Sequence, residues 1–343
     1  MGEALIIHSV INPNKACHSC ESRNPGKHWI PGQARNDKLS KTFVVVYRIL
    51  LVISIFLLPT KSFSAEAVKL RYVQSIYVDE KGIGIKQPEG VASNDKSLLI
   101  VGDTGNDRLL QFTVQEKSVK AGPELKIPQL SSPIRVQINS KGEIFALDGK
   151  KRRIIRLNPD GTFKGYVDAE GVPSPSTFVT RSFKIDTNDN IYILDIFSAR
   201  VLILNPEGKY QREVPFPKDY GFFSDLSVDS KGNLMLVDSV KAMVFSAQKD
   251  SNSFSPLTKS LREYLNFPTS MTTDNKGMTY LVDENGGGIV ILGRDGSYVG
   301  RQLTMGWNEG FLYYPSQMSI NDKGEAFIAD RGNSRVQVFT IVR

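Results

Sequence analysis

Short apolar runs alternate with polar turns along most of the chain, and residues 88–112 show this pattern clearly. The stretch is PEGVASNDKSLLIVGDTGNDRLLQF, in which one run follows Pro88, a second follows a polar turn and a third follows Asp103. Such runs, rich in Val, Ile and Leu and bounded by Gly, Asn and Asp, are typical of β-strands and turns. The apolar positions lack the 3.6-residue spacing of a helix. The stretch therefore predicts three consecutive β-strands.

The same three-strand module recurs to the end of the chain. The closing stretch 315–339, PSQMSINDKGEAFIADRGNSRVQVF, has the proline, the turn, the apolar strand and the aspartate in the same places. The aspartate that ends the second strand recurs every 43 to 47 residues, at Asp103, Asp148, Asp195, Asp238, Asp283 and Asp330. Five residues later, four copies have an arginine, namely Arg108, Arg153, Arg200 and Arg335. A period of this length, built from strands alone, predicts a propeller or a solenoid.

The spacing of the repeats matches one four-stranded propeller blade per copy. A fourth strand follows a second polar turn in several copies, for example after NPDG at 158–161. The last copy stops after its third strand, whereas KLRYVQSIYV at 69–78 precedes the first blade. We therefore predict an all-β fold, a six-bladed β-propeller of four-stranded antiparallel blades. Residues 69–78 are expected to complete the last blade and close the ring, which removes an exposed sheet edge.

The repeated aspartate and arginine have two interpretations. A ring of charges could bind a ligand or a metal ion. Alternatively, each aspartate accepts backbone N–H groups of a hairpin turn and pairs with the arginine across that turn. We favour the structural interpretation, because a residue present in every copy serves what each blade needs once.

The motif of these copies resembles the NHL repeat. The resemblance is carried by P-x-G-V-A and D-T-G-N-x-R-L-x-x-F in 88–112, and by A-D-R-G-N-S-R-V-Q-V-F in 315–339. It weakens in the fourth and fifth copies, where Met243 and Gly288 stand in place of the arginine. NHL-repeat proteins form six-bladed β-propellers, so the resemblance implies that fold for about residues 69–343. Function follows only weakly from it, because one fold hosts many activities.

Residues 1–67 lie outside the repeats, and we divide the chain into 1–41, 42–67 and 68–343. Residues 1–41 resemble a translated intergenic repeat at a mis-called start, and we interpret them as a leader foreign to the native protein. Residues 42–67 combine preceding basic residues, the apolar run 49–58 and an A-x-A pattern at 65–67. This combination is typical of a bacterial secretory signal peptide. We predict a periplasmic or secreted protein, with an uncleaved, outward-facing membrane anchor as the alternative.

Residues 68–343 contain no histidine and no cysteine. The Ser-His-Asp and Cys-His routes to catalysis, and zinc sites of the usual imidazole or thiolate type, therefore cannot form there. The enzymes that resemble this fold, the amidating lyases and the streptogramin lyases, use histidines in the propeller. We expect a non-catalytic protein without a cofactor, and we assign no catalytic or metal-binding residue. A carboxylate Ca²⁺ site stays open, and with it a Ca²⁺- or carboxylate-dependent lyase or hydrolase in the central funnel.

One face of the predicted propeller has the features of a binding surface. The turns between second and third strands and the links between blades share this face, which we call the loop-rich face. The residues predicted to bind there are Phe222, Phe223, Trp307, Phe311, Tyr313, Tyr314, Arg152 and Arg153. Aromatic residues near arginine are favoured at binding hot spots.

The partner expected on this face is a protein, a peptide or a cell-envelope polysaccharide. The formal net charge of +7 comes partly from residues 1–67. Binding to nucleic acid would need a clustered basic stripe. The one basic cluster of 68–343 is KKRR at 150–153. We interpret it as a solvated hairpin tip, with contact to an anionic ligand or polysaccharide as the alternative, and we expect no nucleic-acid partner. Membrane contact is expected only through an uncleaved signal segment, and the propeller itself is expected to be a monomer. The predicted function is binding or scaffolding.

Overall fold

The computed structural model describes residues 68–115 and 118–343. The predicted leader and signal peptide, residues 1–67, lie outside the described residues. Within the described ranges, no helix has the length and apolar character needed to cross a membrane.

The described residues form antiparallel strands joined by short turns. In chain order the strands are β1 (Lys69–Ile76), β2 (Gly90–Ser93), β3 (Leu98–Asp103), β4 (Arg108–Gln115), β5 (Ser118–Leu125), β6 (Pro133–Ile138), β7 (Ile144–Asp148), β8 (Ile154–Leu157), β9 (Phe163–Tyr166), β10 (Thr180–Ile185), β11 (Ile191–Asp195), β12 (Arg200–Leu204), β13 (Tyr210–Pro215), β14 (Phe223–Val228), β15 (Leu234–Asp238), β16 (Met243–Ala247), β17 (Ser255–Pro256), β18 (Pro268–Thr273), β19 (Thr279–Asp283), β20 (Gly288–Leu292), β21 (Tyr298–Gln302), β22 (Pro315–Ile320), β23 (Glu325–Asp330) and β24 (Arg335–Val342). Two short 3-10 turns, Thr104–Asn106 and Arg331–Asn333, follow β3 and β23.

These strands form six four-stranded blades, as the repeat predicts. Blades 1 to 5 consist of β2–β5, β6–β9, β10–β13, β14–β17 and β18–β21, each with its first strand innermost. Blade 6 contains β22, β23 and β24, and β1 is its outermost strand. The pairing of β1 with β24 runs from Lys69 opposite Val342 to Ile76 opposite Val336. The all-β, six-bladed fold and the predicted closure by the N-terminal strand are both confirmed.

The core is divided among the contacts between neighbouring blades. Every residue of β7, β11, β15 and β19 is buried, because a neighbouring blade covers each face of these strands. Strands covered on both faces have unbroken apolar runs rather than alternation. Six apolar clusters fill the six interfaces between blades. One of them joins Phe327 and Val336 of blade 6 to Val91 and Leu99 of blade 1, so the closing interface is packed like the others.

The repeated aspartates lie at the ends of the second strands and are almost completely buried. Each carboxylate accepts backbone N–H groups from the link before its blade, from the turn after it, or from both. For example, Asp148 accepts hydrogen bonds from the backbone N–H of Ser131 at 3.0 Å and of Lys151 at 2.9 Å. Asp238 accepts four such bonds, two of them from Gly221 and Lys241. These contacts fix the loop-rich face to the blades.

The repeated arginines behave differently from copy to copy. Arginine Nε donates to the aspartate of the same copy in the pairs Arg108–Asp103 at 2.7 Å, Arg200–Asp195 at 3.1 Å and Arg335–Asp330 at 2.8 Å. In the second copy, Arg153 instead contacts Asp168 at 3.3 Å near the surface. In the fifth copy, Asp283 binds Arg301 of the outer strand at 2.8 Å.

Candidate functional site

The six inner strands surround a central funnel lined by polar side chains. Each inner strand has a buried apolar residue in its middle, which packs into the core between blades. These residues are Val91, Val136, Phe183, Leu226, Met271 and Met318. The positions immediately before and after this residue are polar in five of the six copies. Because side chains alternate along a strand, these two positions share the opposite side, toward the funnel.

A cavity of about 190 Å³ opens the funnel at the loop-rich face, and we call it the mouth cavity. It is lined by Glu89, Ile134, Arg135, Arg181, Thr269, Glu284, Ser316 and Arg331. The first residues of the inner strands and the residues after two of the repeated aspartates come together here. Three arginines and two glutamates make this cavity strongly polar.

Arg135 crosses the funnel at the base of the mouth cavity. This side chain starts from blade 2, and its guanidinium donates to the backbone oxygen of Thr269 at 3.1 Å and to Ser316 Oγ at 3.3 Å. Those two acceptors belong to blades 5 and 6, on the far side of the axis. The residue is 5% exposed. Arg135 therefore connects distant blades and places a buried positive charge at the axis.

Four further charged residues line the mouth cavity with Arg135, namely Glu89, Arg181, Glu284 and Arg331. Arg181 lies over the ring of Phe222, with the guanidinium carbon 5.3 Å from the ring centre. Burial, with the nearby charges of Arg135 and Arg152, lowers the pKa of Arg181. Arg331 forms an ion pair with Glu284.

A buried ion pair lies deeper in the funnel. Asp225 accepts hydrogen bonds from Ser182 Oγ at 2.5 Å, Ser270 Oγ at 2.8 Å and the Met271 N–H at 2.9 Å. Lys184 Nζ lies 3.9 Å from this carboxylate. Burial opposes ionisation of Asp225, but the charges of Lys184 and Arg135 hold its pKa below the ordinary value. Burial lowers the pKa of Lys184.

A second cavity, of about 160 Å³, occupies the opposite end of the funnel. Lys184 lines it together with neutral polar residues such as Gln137, Ser227 and Ser319. The funnel thus has a charged end at the loop-rich face and a mainly neutral end at the other.

The predicted aromatic residues separate into an exposed group and buried or supporting residues. Trp307 is 74% exposed, Phe311 is 40% exposed and Tyr314 is 37% exposed, all on the link between blades 5 and 6. Tyr313 lies between two of them, with ring centres 5.9 Å from Trp307 and 4.6 Å from Tyr314. We call these four residues the aromatic patch.

The other predicted binding residues lie elsewhere. Phe223 is 1% exposed and packs in the core between blades 3 and 4, so it offers no surface to a partner. Its neighbour Phe222 flanks Arg181 at the funnel mouth. Arg152 and Arg153 are exposed on the hairpin tip of blade 2, and Arg153 stacks over Tyr166 at 3.6 Å. The structure therefore places Phe222 against Arg181, which lines the mouth cavity, and Arg152 on the hairpin tip of blade 2. Neither belongs to the aromatic patch.

Sequence reasoning missed the charged residues of the funnel, Arg135, Arg181, Lys184 and Asp225. A usable signal is present in the inner strands, whose polar positions flank an apolar residue in most copies. Arg135, Lys184 and Asp225 occupy such positions, where they stand out against Ser, Thr and Gln in the other copies. Arg181 lies one position earlier, and this signal does not find it. In the described residues, no group of three or more His, Cys, Asp or Glu side chains is placed to hold a metal ion.

The arrangement of blades defines the protein as a six-bladed β-propeller. Residues 312–339, which span most of the last repeat, match the family model of the NHL repeat. This match and the six-bladed ring together confirm the resemblance to NHL-repeat propellers. No curated protein matches the chain in sequence.

Solved structures with the same fold include enzymes and a chain of a protein complex. Virginiamycin B lyase from Staphylococcus aureus is 15% identical, with a TM-score of 0.57 over 80% of this chain and 100% of that chain. A gluconolactonase from Xanthomonas campestris is 13% identical, with a TM-score of 0.57 over 82% of this chain and 93% of that one. A chain of the nidogen/laminin complex is 15% identical, with a TM-score of 0.55 over 72% and 96% of the two chains. At these identities the comparisons show the fold alone.

Proposed function

We propose that this propeller is a non-catalytic binding module that recognises a protein, a peptide or an envelope glycan through the aromatic patch. The exposure of Trp307 carries the proposal, because this large aromatic residue is 74% exposed and lies beside other exposed aromatic residues. Exposed aromatic groups on one surface are typical of interaction sites, and Trp and Tyr are enriched at binding hot spots.

Hydrogen bonds from side chains of the last blade fix the backbone of the link that carries the aromatic patch. Arg335 donates to the backbone oxygen of Asn308 at 2.7 Å and of Phe311 at 3.0 Å. Asn333 Nδ2 donates to the backbone oxygen of Gly306 at 3.0 Å. A surface fixed in this way loses little conformational entropy when a partner binds. The patch is therefore organised before binding, which supports a recognition role.

An enzyme with its site in the funnel is the alternative. Clustered carboxylates at the mouth would favour it, but the carboxylates that line the mouth cavity are Glu89 and Glu284, and Glu284 is paired with Arg331. Structures with this fold include a lyase and a gluconolactonase as well as the nidogen/laminin complex, so the fold accommodates both functions. The exposed patch favours binding. The proposed binding requires no cofactor, and chelation with EDTA tests whether Ca²⁺ takes part.

The proposed setting is the periplasm or the cell exterior, reached through the signal segment 42–67. There the propeller would act as a monomer with its loop-rich face free, or remain anchored if the segment stays uncleaved. Nucleic acid is not among the proposed partners.

Capture of partners from a cell-envelope extract tests the proposal. Tagged 68–343 is compared with the double variant Trp307→Ala/Tyr314→Ala, with and without EDTA, and bound material is identified by mass spectrometry. Phe197→Ala is the matched control, because Phe197 is 63% exposed in another blade and lies outside the patch. We expect a partner that binds the parent protein and the control in EDTA and is lost from the double variant. If the double variant still captures the partner, the aromatic patch is not the binding site. If EDTA abolishes capture by the parent protein, a metal-dependent site is favoured.

A further inference from the structure

The funnel contains more buried positive charge than the buried carboxylate beside it can balance. Arg135 is 5% exposed and Lys184 is 8% exposed, and both lie near Asp225, which is inaccessible. Arg135 forms no ion pair within the described residues, and its polar contacts there are with backbone oxygens and a serine hydroxyl. Burying a charge is costly unless an opposite charge compensates it. The imbalance calls for an anion near Arg135.

Three polar atoms beside the mouth cavity have no hydrogen-bond partner among the described residues. They are Arg135 Nε, Arg181 Nε and Thr269 Oγ1, and each is shielded from solvent. All three residues line the mouth cavity. Buried polar atoms are nearly always hydrogen-bonded in native proteins, so unpaired donors around a cavity indicate a ligand that accepts hydrogen bonds.

We infer that the mouth cavity binds an oxyanion, the carboxylate or phosphate group of a small molecule, between Arg135 and Arg181. The planar guanidinium group suits the two oxygens of a carboxylate or phosphate, and hydrogen bonds between charged groups are the stronger kind. A cavity of about 190 Å³ has the volume of about six water molecules, which accommodates such a group with a short attached segment.

Two carboxylates face the same cavity and set the affinity of the site. Glu284 is neutralised by Arg331. Glu89 lines the cavity and interacts electrostatically with Arg181, so its charge competes with a bound anion. Removing the charge of Glu89 should therefore strengthen anion binding.

This site is separate from the aromatic patch and does not depend on it. Its lining residues come from blades 2, 3, 5 and 6 and from the start of blade 1, and include none of the four aromatic residues. Trp307→Ala should therefore leave anion binding unchanged. Failure of one proposal can thus be distinguished from failure of the other.

Calorimetric titration with inorganic phosphate and, separately, with acetate tests the inference at constant ionic strength in sodium chloride. Arg181→Met keeps the apolar stem and removes the charge, and we expect it to weaken binding about tenfold or more. Arg71→Met is the matched control, since Arg71 is exposed on the outermost strand β1. Glu89→Gln should bind more tightly than the parent protein. Circular dichroism establishes that each variant is folded.

The two probes distinguish the sources of the oxyanion. Binding of phosphate alone would point to a phosphorylated ligand, and binding of acetate, alone or with phosphate, would point to a carboxylate. No binding of either probe at millimolar concentration would overturn the inference, as would equal binding by parent protein and Arg181→Met. If Arg181→Met does not fold, unchanged or weaker binding by Glu89→Gln would overturn it instead.

Discussion

Arg335 and Arg153 occupy the same position of the repeat but lie in opposite environments. The Arg335 side chain is 3% exposed and its partner Asp330 is inaccessible, whereas Arg153 and Asp168 are 49% and 76% exposed. A buried charge pair becomes costly when one partner is removed, because the other charge stays buried. An exposed pair contributes little, because water screens both charges.

We predict that Arg335→Met destabilises the protein far more than Arg153→Met. The expected loss in free energy of unfolding is about 3–5 kcal/mol for Arg335→Met. For Arg153→Met it is about 1 kcal/mol or less. Chemical denaturation of both variants at neutral pH measures the difference. Equal losses would mean that the contribution of an arginine to the free energy of unfolding depends on its position in the repeat and not on its burial.

Glu143 should make the stability of the protein depend on pH. The residue is 5% exposed, and burial alone would raise its pKa. Hydrogen bonds from Arg156, Lys164 and Asn139 outweigh burial and lower the pKa of Glu143 from 4.5 to about 2. When the pKa of a carboxyl group is lower in the folded state than in the unfolded state, the group stabilises the folded state at pH values above its unfolded-state pKa. That contribution is lost as pH falls from about 4.5 towards 2.

We therefore predict that Glu143→Gln is less stable than the parent protein at pH 7, by about 3 kcal/mol. The difference should shrink as pH falls below about 4.5 and vanish near 2. Denaturation of both proteins across this range measures it. A gap that stays constant with pH would show that the carboxylate charge does not stabilise the fold.

The sequence predicted the repeated residues well and the funnel residues poorly. Asp103 and its equivalents recur at a fixed period, so one sequence is enough to find them. Arg135, Lys184 and Asp225 each occur in a single copy, and their meeting point depends on three different blades. The prediction that Phe223 binds a partner was wrong, because Phe223 begins β14 and packs in the core between blades 3 and 4. Phe222 lies just before that strand and contacts Arg181, and nothing in the sequence pattern separates the two neighbours.

At the scale of single elements, β1 decides whether the ring has an open edge. Leu70 and Ile76 of β1 are buried, each in a different cluster, and Tyr72 packs edge-on against Phe339 with ring centres 5.9 Å apart. Without β1, the backbone of β24 would present unpaired groups to solvent. The segment was predictable because the last repeat lacks a fourth strand. The bulge between Tyr72 and Gln74 was not, because it depends on pairing with β24.

We predict that deleting residues 69–78 lowers the melting temperature by about 10 °C or more, through loss of buried side chains and of the β1 pairing. A synthetic peptide of sequence 69–78 should restore part of the loss by binding to the exposed edge of β24. Scanning calorimetry with and without the peptide measures both effects. An unchanged melting temperature after deletion would contradict the role of β1 in stabilising the ring.

The turns after the second strands of blades 1 and 6 share a glycine, and the structure shows why. A Cβ atom at Gly332 would lie 2.5 Å from the backbone oxygen of Tyr313, and one at Gly105 would lie 2.7 Å from that of Lys86. Both glycine N–H groups donate to those same oxygens at 2.8 Å. The glycine thus lets the link between blades approach the turn, which holds the aromatic patch next to the last blade.

At the scale of the whole molecule, every blade has two packed neighbours, so the ring has no free end. Phe183 lies in the interface between blades 2 and 3, and Phe327 lies in the closing interface between blades 6 and 1. Both side chains are completely buried. In an open array of repeats, stability is a sum over neighbours and the terminal units are the weakest. In a closed ring no unit is terminal. A substitution that disrupts the closing interface should therefore destabilise the protein as much as one in any other interface between blades.

We therefore predict that Phe183→Ala and Phe327→Ala have similar effects. Each should cost about 3–5 kcal/mol, because truncating a buried phenylalanine loses apolar contacts and leaves a cavity. Scanning calorimetry of the parent protein and of both variants should show one cooperative transition in each case, with both variants shifted down by a similar amount. If Phe327→Ala alone produced an early separate transition, blades 1 and 6 would separate before the rest unfolds. The closing interface between blades 6 and 1 would then be the weakest in the ring, and the funnel would open when that interface separates.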